Sequence, residues 1–259
     1  MKRSLYLFAA VLFLFSCKPE EDPKTVININ KEFNIELIEM LHPETNQLAF
    51  KISTIERQDC ENAEIIYTSA ELFNAFRLQI EGVERPDSCI DNPSTIESQV
   101  PFELPSNNLD INIKISDVVS NKGLISVSEN LDIFQLTMES DHGIRIVKDI
   151  LFSVPKGFVW GYIGTNNPQV NVAFDPFNQE LSGLTSDAFF SEGNYGHFEI
   201  DGSGKIDQIL NKPVLSDQIL FIKRLDGDKE TLDALVQEFR TQYGTDLVIK
   251  VFTSEGEIF

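Results

Sequence analysis

The residues best spaced for chemistry lie in Glu199-x-Asp201-x-Ser203-Gly204-Lys205-Ile206-Asp207, where Asp201, Ser203 and Asp207 offer side-chain oxygens at alternate positions. Oxygen ligands in such a pattern suit a hard cation, calcium above all. The run departs from the helix-loop-helix calcium motif at both ends: Glu199 stands at the first ligand position, and Leu210 stands where a bidentate Glu is needed. A hairpin turn at Asp201-Gly202-Ser203-Gly204 accounts for the same residues. The turn is therefore the expectation, with calcium as the alternative and no other cofactor implied.

The three histidines, His42, His142 and His197, are not spaced as a metal or catalytic pair on one helix or strand. There is no H-E-x-x-H, no G-x-S-x-G, no phosphate loop and no dinucleotide-binding glycine pattern. A hydrolase would need a site assembled from distant residues. Carboxylate pairs decide nothing, because among 41 acidic residues a pair can always be nominated. Glycan platforms use Trp and Tyr, and here 1 Trp and 5 Tyr stand against 20 Phe, so most aromatics are expected in cores. Trp160 and Tyr162 of Trp160-Gly161-Tyr162 are the candidates for an exposed binding platform.

These residues must be held by a mainly β scaffold. From Val26 to Val154 apolar and polar residues alternate, as in Leu109, Ile111, Ile113 and Ile115, in Phe33-Ile35-Leu37, in Phe76-Leu78-Ile80 and in Phe134-Leu136-Met138. Further strand-like runs occupy Leu48 to Ile55, Ile96 to Leu104 and Ile144 to Val154. Strands at this spacing predict an antiparallel β-sandwich of the immunoglobulin-like class over 26–154.

Glycine marks a change near Pro155, since 11 of the 14 glycines lie at or after Gly157. A small α+β domain is expected over 155–259, its core supplied by Trp160, Phe174, Phe177, Phe189 and Phe190. Its clearest element is a helix over Asp228 to Tyr243, with Leu232, Leu235, Val236, Phe239 and Tyr243 on one face. Asp228 can cap its start and Gly244 end it. Strand-like runs at Gln218 to Lys223 and Asp246 to Phe252 complete a β-α-β unit, with parallel strands if both share one sheet. One continuous β-rich domain is the alternative.

The chain opens with Lys2 and Arg3, an apolar run from Leu5 to Phe15, and Leu14-Phe15-Ser16-Cys17, after which it turns polar. This is the layout of a secretory leader. Eleven apolar residues in a helix span roughly half of a bilayer core, so a membrane-crossing anchor is not expected. The junction resembles the lipobox of bacterial lipoproteins, with Leu14, Ser16 and Cys17 matching and Phe15 bulkier than usual. The acidic stretch Glu20-Glu21-Asp22 resembles the surface-export signal of Bacteroidota lipoproteins. The resemblance covers only about the first two dozen residues. It implies removal of residues 1–16, acylation of Cys17, a tether over 17–25, and anchoring in the outer membrane of a Gram-negative cell. The surface is the expected face, with the periplasmic face as alternative.

Loss of Lys2 and Arg3 with the leader leaves 19 basic residues against 41 acidic ones, a formal charge near −22. Nucleic acid and anionic headgroups are poor partners for that surface, so the lipid itself must make the membrane contact. With Cys17 acylated, Cys60 and Cys89 remain as an even pair in an oxidising compartment, and a disulfide between them is expected over a reactive thiol or metal pair. Together these readings predict a non-enzymatic binding or accessory lipoprotein for a protein or glycan partner. The alternatives are a secreted hydrolase with a spatially assembled site, or a structural subunit of an envelope assembly.

Overall fold

The structure is a computed structural model that describes residues 30–103, 108–130 and 132–259. Cys17, the leader, the tether to residue 25 and Leu104 lie outside these residues. The described chain is mainly β, with strands over 51% and helix over 14%.

Among the described residues, twelve strands precede Pro155: β1 (Phe33–Met40), β2 (Gln47–Thr54), β3 (Gln58–Cys60), β4 (Glu64–Leu72), β5 (Ala75–Glu84), β6 (Asp91–Ser94), β7 (Glu97–Phe102), β8 (Leu109–Ile115), β9 (Val119–Val127), β10 (Ile133–Met138), β11 (Ile144–Lys148) and β12 (Ile150–Phe152). They form a four-stranded sheet ordered β11-β1-β2-β7, a six-stranded sheet ordered β12-β10-β9-β8-β5-β4, and a small β3-β6 pair. The two larger sheets share one apolar core, in which Phe50, Phe76 and Phe102 pack at centroid distances of 4.7 to 5.7 Å. Alternation places these residues inward, because successive side chains of a strand point to opposite faces.

Two departures from the sequence reading appear here. The pairing is not wholly antiparallel, since β1 runs parallel to β11 and β5 parallel to β8. The run from Ile144 onward is also not one strand. It breaks at Asp149, and β11 joins one sheet while β12 joins the other, antiparallel to β10. A local apolar pattern cannot reveal such a switch, because each half buries the same kinds of residue.

The expected disulfide is present: Cys60 and Cys89 are bonded with their Cα atoms 5.4 Å apart. It closes a 29-residue separation. The double variant Cys60→Ser/Cys89→Ser is expected to lose about 3.5 kcal/mol of stability on the chain-entropy model. Urea denaturation checks this, and an unchanged midpoint would remove the staple from the account of stability.

After Pro155 come β13 (Phe158–Thr165), α1 (Phe174–Leu184), β14 (Thr185–Asp187), β15 (Gly193–Asn194), β16 (Phe198–Ile200), β17 (Ile206–Ile209), β18 (Asp217–Leu225), α2 (Lys229–Tyr243) and β19 (Leu247–Thr253). The main sheet is ordered β14-β18-β13-β19, and β15, β16 and β17 form a second, three-stranded one. β18 and β19 do share a sheet and run parallel. Each pairs antiparallel with β13, which lies between them, so the strands around α2 are not neighbours.

α2 begins where Asp228 Oδ1 accepts from the Thr231 amide at 2.6 Å and ends at Gly244, whose φ is 63°. Its buried residues are Leu232, Leu235, Val236 and Phe239. α1 was not expected. Pro176 and Gly183 give its sequence the texture of a loop, yet proline is tolerated in a first turn, and Phe174, Phe177 and Leu181 pack on α2 and the sheet.

The central strand β13 is buried on both faces. Val159 and Ile163 face the helices, while Trp160 and Tyr162 face a third apolar cluster with Phe198, Tyr195 and Ile209. One expected core residue is placed differently: Phe189 is 99% exposed, while its neighbour Phe190 is buried against Phe158 and Phe198. Adjacent side chains on an extended segment point to opposite sides, so only one of the two can enter the core. Among the described residues no helix is long and apolar enough to cross a membrane.

Candidate functional site

The most constrained polar groups of the described chain meet where the C-terminal sheets pack against β1. By parity Ile38 belongs on the outer face of its sheet, yet it is only 6% exposed. Gly196 lies over it. A Cβ at Gly196 would come within 3.4 Å of the Glu39 nitrogen and 3.6 Å of Ile38 Cα, and its φ of 76° also favours glycine. Nearby, a Cβ at Gly256 would meet the Leu41 carbonyl oxygen at 2.5 Å.

Glu39 sits at the end of β1 on the inward parity, 1% exposed. Its Oε1 accepts from Ser153 Oγ at 2.7 Å and Asn46 Nδ2 at 3.0 Å, and its Oε2 accepts from the Val154 amide at 2.8 Å. Burial raises its pKa above the ordinary carboxylate value, against the pull of those three donors. The backbone carbonyl of the same residue lies 2.7 Å from His197 Nε2. A carbonyl can only accept, so Nε2 carries the proton and Nδ1 is the acceptor of a neutral ring. Burial lowers the His197 pKa in agreement with that form.

Beside this junction opens a cleft of about 290 Å³, lined by Lys51, Gln99, Trp160, His197, Asn211 and Lys250 among others. The first two come from the outer face of the four-stranded sheet. There β-pairing sets Lys148, Glu36, Lys51 and Gln99 side by side on β11, β1, β2 and β7. Lys51 pairs with Glu97 at 3.0 Å, and Lys148 pairs with Glu199. Burial raises the Glu36 pKa, opposed by Lys51 and Lys148. From the other side, the Trp160 ring stacks on Phe252 at 5.9 Å and lies 5.7 Å from the His197 ring. Trp160 Nε1 is buried and has no hydrogen-bond partner among the described residues. Lys250 stands over Phe252 at 5.8 Å and makes no ion pair among the described residues.

Asn211 and Lys250 also line an adjoining open groove of about 640 Å³, with Tyr162, Arg240, Thr245 and Leu247 on its walls. Asn211 has a φ of 57°, a left-handed conformation that Asn tolerates better than most residues. The Arg240 guanidinium is committed to the Ile249 carbonyl at 2.7 Å. The convergent groups are thus mostly donors. The His197 ring is hydrogen-bonded to the Glu39 backbone carbonyl, which holds it as a donor across the junction.

The structure places the sequence candidates as follows. Trp160 and Tyr162 are 1% and 2% exposed, so they form no exposed platform; they line the cleft and groove from within. Both are buried because β13 is the central strand and its second face carries the three-stranded sheet. Asp201 Oδ1 accepts from Ser203 N, Ser203 Oγ and Lys205 N at 2.8, 2.7 and 3.0 Å. These bonds hold its pKa below the usual carboxylate value and build the expected hairpin turn. Asp207 is exposed on β17, and no group of three His, Cys, Asp or Glu suited to a metal forms among the described residues. His42 lies in the β1–β2 connection and His142 in the turn before β11, in other parts of the fold.

Glu39, Asn211, Lys51 and Lys250 were missed. One signal was legible: in Phe33, Ile35, Leu37, Glu39 a carboxylate continues an inward apolar series, where it must find buried donors. Comparison with protein-family models, with curated proteins and with solved structures returns no match.

Proposed function

We propose that the chain is a lipid-anchored lipoprotein of a Gram-negative outer membrane that displays a non-enzymatic binding or accessory module for a protein or glycan partner. In this reading Cys17 carries the lipid and 17–25 is the tether. Residues 26–154 form an immunoglobulin-like sandwich and 155–259 an α+β domain. The module needs no cofactor and does not engage nucleic acid, whose phosphates its charge repels.

The observation that carries the binding reading is the cleft between β1-β2-β7 and the C-terminal sheets, where Lys51, Gln99, Asn211 and Lys250 converge beside Trp160 and Phe252. Sites between packed units, with a few convergent polar groups on apolar walls, are the usual places for ligands. The leader residues support the address.

Fractionation and crosslinking on intact cells test the proposal. The native protein is expected in the outer-membrane fraction and accessible to added protease, and Cys17→Ala is expected to be soluble or unprocessed. A photo-crosslinker at Asn211 is expected to capture a stoichiometric envelope partner, and one at the exposed Val118 is not. Membrane acylation that persists in Cys17→Ala would overturn the anchor, and equal labelling from both positions would overturn the cleft as the contact.

A further inference from the structure

We infer that the open edge of β19 from Leu247 to Lys250 docks one extended segment of a partner protein, which joins the β14-β18-β13-β19 sheet as a further strand. The inference rests on the binding reading above and names the form in which the partner of that site is held.

Three observations converge. First, the edge carries backbone groups aimed away from the sheet. The Val251 amide and carbonyl both bond to Phe259, on the side of β19 away from β13. Backbone groups of alternate residues in a strand point the same way, so those of Ile249 and Leu247 also face outward. Arg240 meets the Ile249 carbonyl, and the Gly244 carbonyl meets the Leu247 amide. The Ile249 amide and the Leu247 carbonyl are left without a partner among the described residues. An added strand brings a carbonyl and an amide of its own to such a pair.

Second, a slot runs along those groups. The open groove of about 640 Å³ follows β19 from Leu247 to Lys250, with Thr245, just past α2, on one side and Tyr162 and Pro213 on the other. Four residues of strand span roughly 13 Å, which sets the length of segment it takes. The wall of Tyr162 and Pro213 suits apolar side chains at alternate positions of that segment. Asn211 lines both this slot and the neighbouring cleft, so a strand seated here passes the cleft mouth.

Third, the upper half of the same edge already holds an extended segment. The Thr253 amide donates to the Glu257 carbonyl, Val251 and Phe259 exchange two bonds, and Phe252 bridges antiparallel to Ile258. The slot continues that lane, so the molecule itself shows what kind of chain lies along this edge. The sandwich edges at β4 and β7 are different, because they close on each other: Tyr67 Oη donates to the Gln99 carbonyl at 3.3 Å, and the Glu103 amide donates to Glu71 at 3.2 Å.

The probe is the capped peptide acetyl-Thr-Val-Glu-Val-Thr-amide, with its fully N-methylated analogue, which has lost the backbone donors, as control. Calorimetry is expected to show saturable binding of the first and binding roughly tenfold or more weaker for the second. In the bound state the Ile249 amide is expected to exchange its hydrogen roughly tenfold more slowly by NMR. Thr245→Phe, at an exposed position, puts a ring into the slot and is expected to lose roughly tenfold in affinity with an unchanged melting temperature.

No saturable binding, equal binding of the two peptides, an unchanged Ile249 exchange rate, or full affinity in Thr245→Phe would each overturn the inference. Ile249 protection that grows with the concentration of the protein alone would mean that a second copy fills the slot, and would overturn it too. These outcomes leave the anchor and capture of a partner from Asn211 untouched, so failure here is distinct from failure of the proposed function.

Discussion

Gly161→Val is expected to destabilise the protein by about 4 kcal/mol or more, enough to abolish cooperative folding in a marginally stable chain. Gly161 sits in the middle of β13, between β18 and β19, opposite Phe221 and Val251. An added Cβ would collide with the Lys250 carbonyl oxygen and lie 2.9 Å from Phe221 Cζ and 3.0 Å from Val251 Cα. Two of these atoms are backbone of a paired strand, so relief requires moving β19 and the face of α2 that packs on it. Gly183→Ala is the control. That glycine is within α1, nothing lies within 4 Å of its added Cβ, and the variant is expected to gain up to about 1 kcal/mol from helix propensity. Thermal unfolding of the two variants decides the matter. A Gly161→Val melting point close to that of the native chain would show that β13 is not the rigid centre of the sheet.

Glu39→Ala is expected to cost about 4 kcal/mol, because it strands the Val154 amide, the Ser153 hydroxyl and the Asn46 amide, two of them at a closed junction. Glu39→Gln keeps an acceptor for Val154 and is expected to cost about 1 kcal/mol near pH 5. The pair also predicts a pH dependence. The folded pKa of Glu39 is raised above its unfolded value, so between the two values the folded state binds more protons. Its contribution is therefore fully present below the unfolded pKa and is lost as pH rises through the folded pKa. Glutamine stays neutral throughout.

The stability difference between Glu39→Gln and the native chain should thus shift in favour of the variant as pH rises from about 4 toward neutrality. His197, whose pKa is lowered, acts in the opposite sense, losing stability as pH falls below the ordinary imidazole range, but it is common to both proteins and cancels. Urea titrations across this range measure the difference. Parallel profiles would mean that Glu39 does not titrate in the folded protein.

Much of the local structure was legible in the residues. Period-two alternation located β1, β5, β8 and β10, strand-like runs located β2 and β7, and the Asp228 and Gly244 caps bounded α2 within a residue. The Cys60–Cys89 pairing followed from counting thiols once the leader was read as an export signal. β4 escaped notice because its second half is exposed and mostly polar, and β9 because the polar Asn121 takes an inward position, which leaves little contrast to read. α1 escaped because proline and glycine bracket an otherwise helical face.

The site was far less legible. Asp201, Ser203 and Asp207 had the spacing of ligands and make a turn, while Glu39 and His197, separated by 158 positions, meet through one hydrogen bond that no local pattern encodes.

What the sequence determined by itself was the alternation that makes strands, the caps that bound α2, the thiol pair, the acidic charge and the leader's resemblance to a lipobox. Each is a property of neighbouring residues or of composition, and hydrogen bonding and side-chain periodicity act at that range. Only the tertiary structure decided which face each strand buries twice, that β11 and β12 part into different sheets, and that Trp160 faces inward. It also decided that Lys51 and Lys250, nearly two hundred residues apart, share one cleft. Those outcomes depend on which sheet packs on which, and close packing is satisfied only when the whole chain is in place.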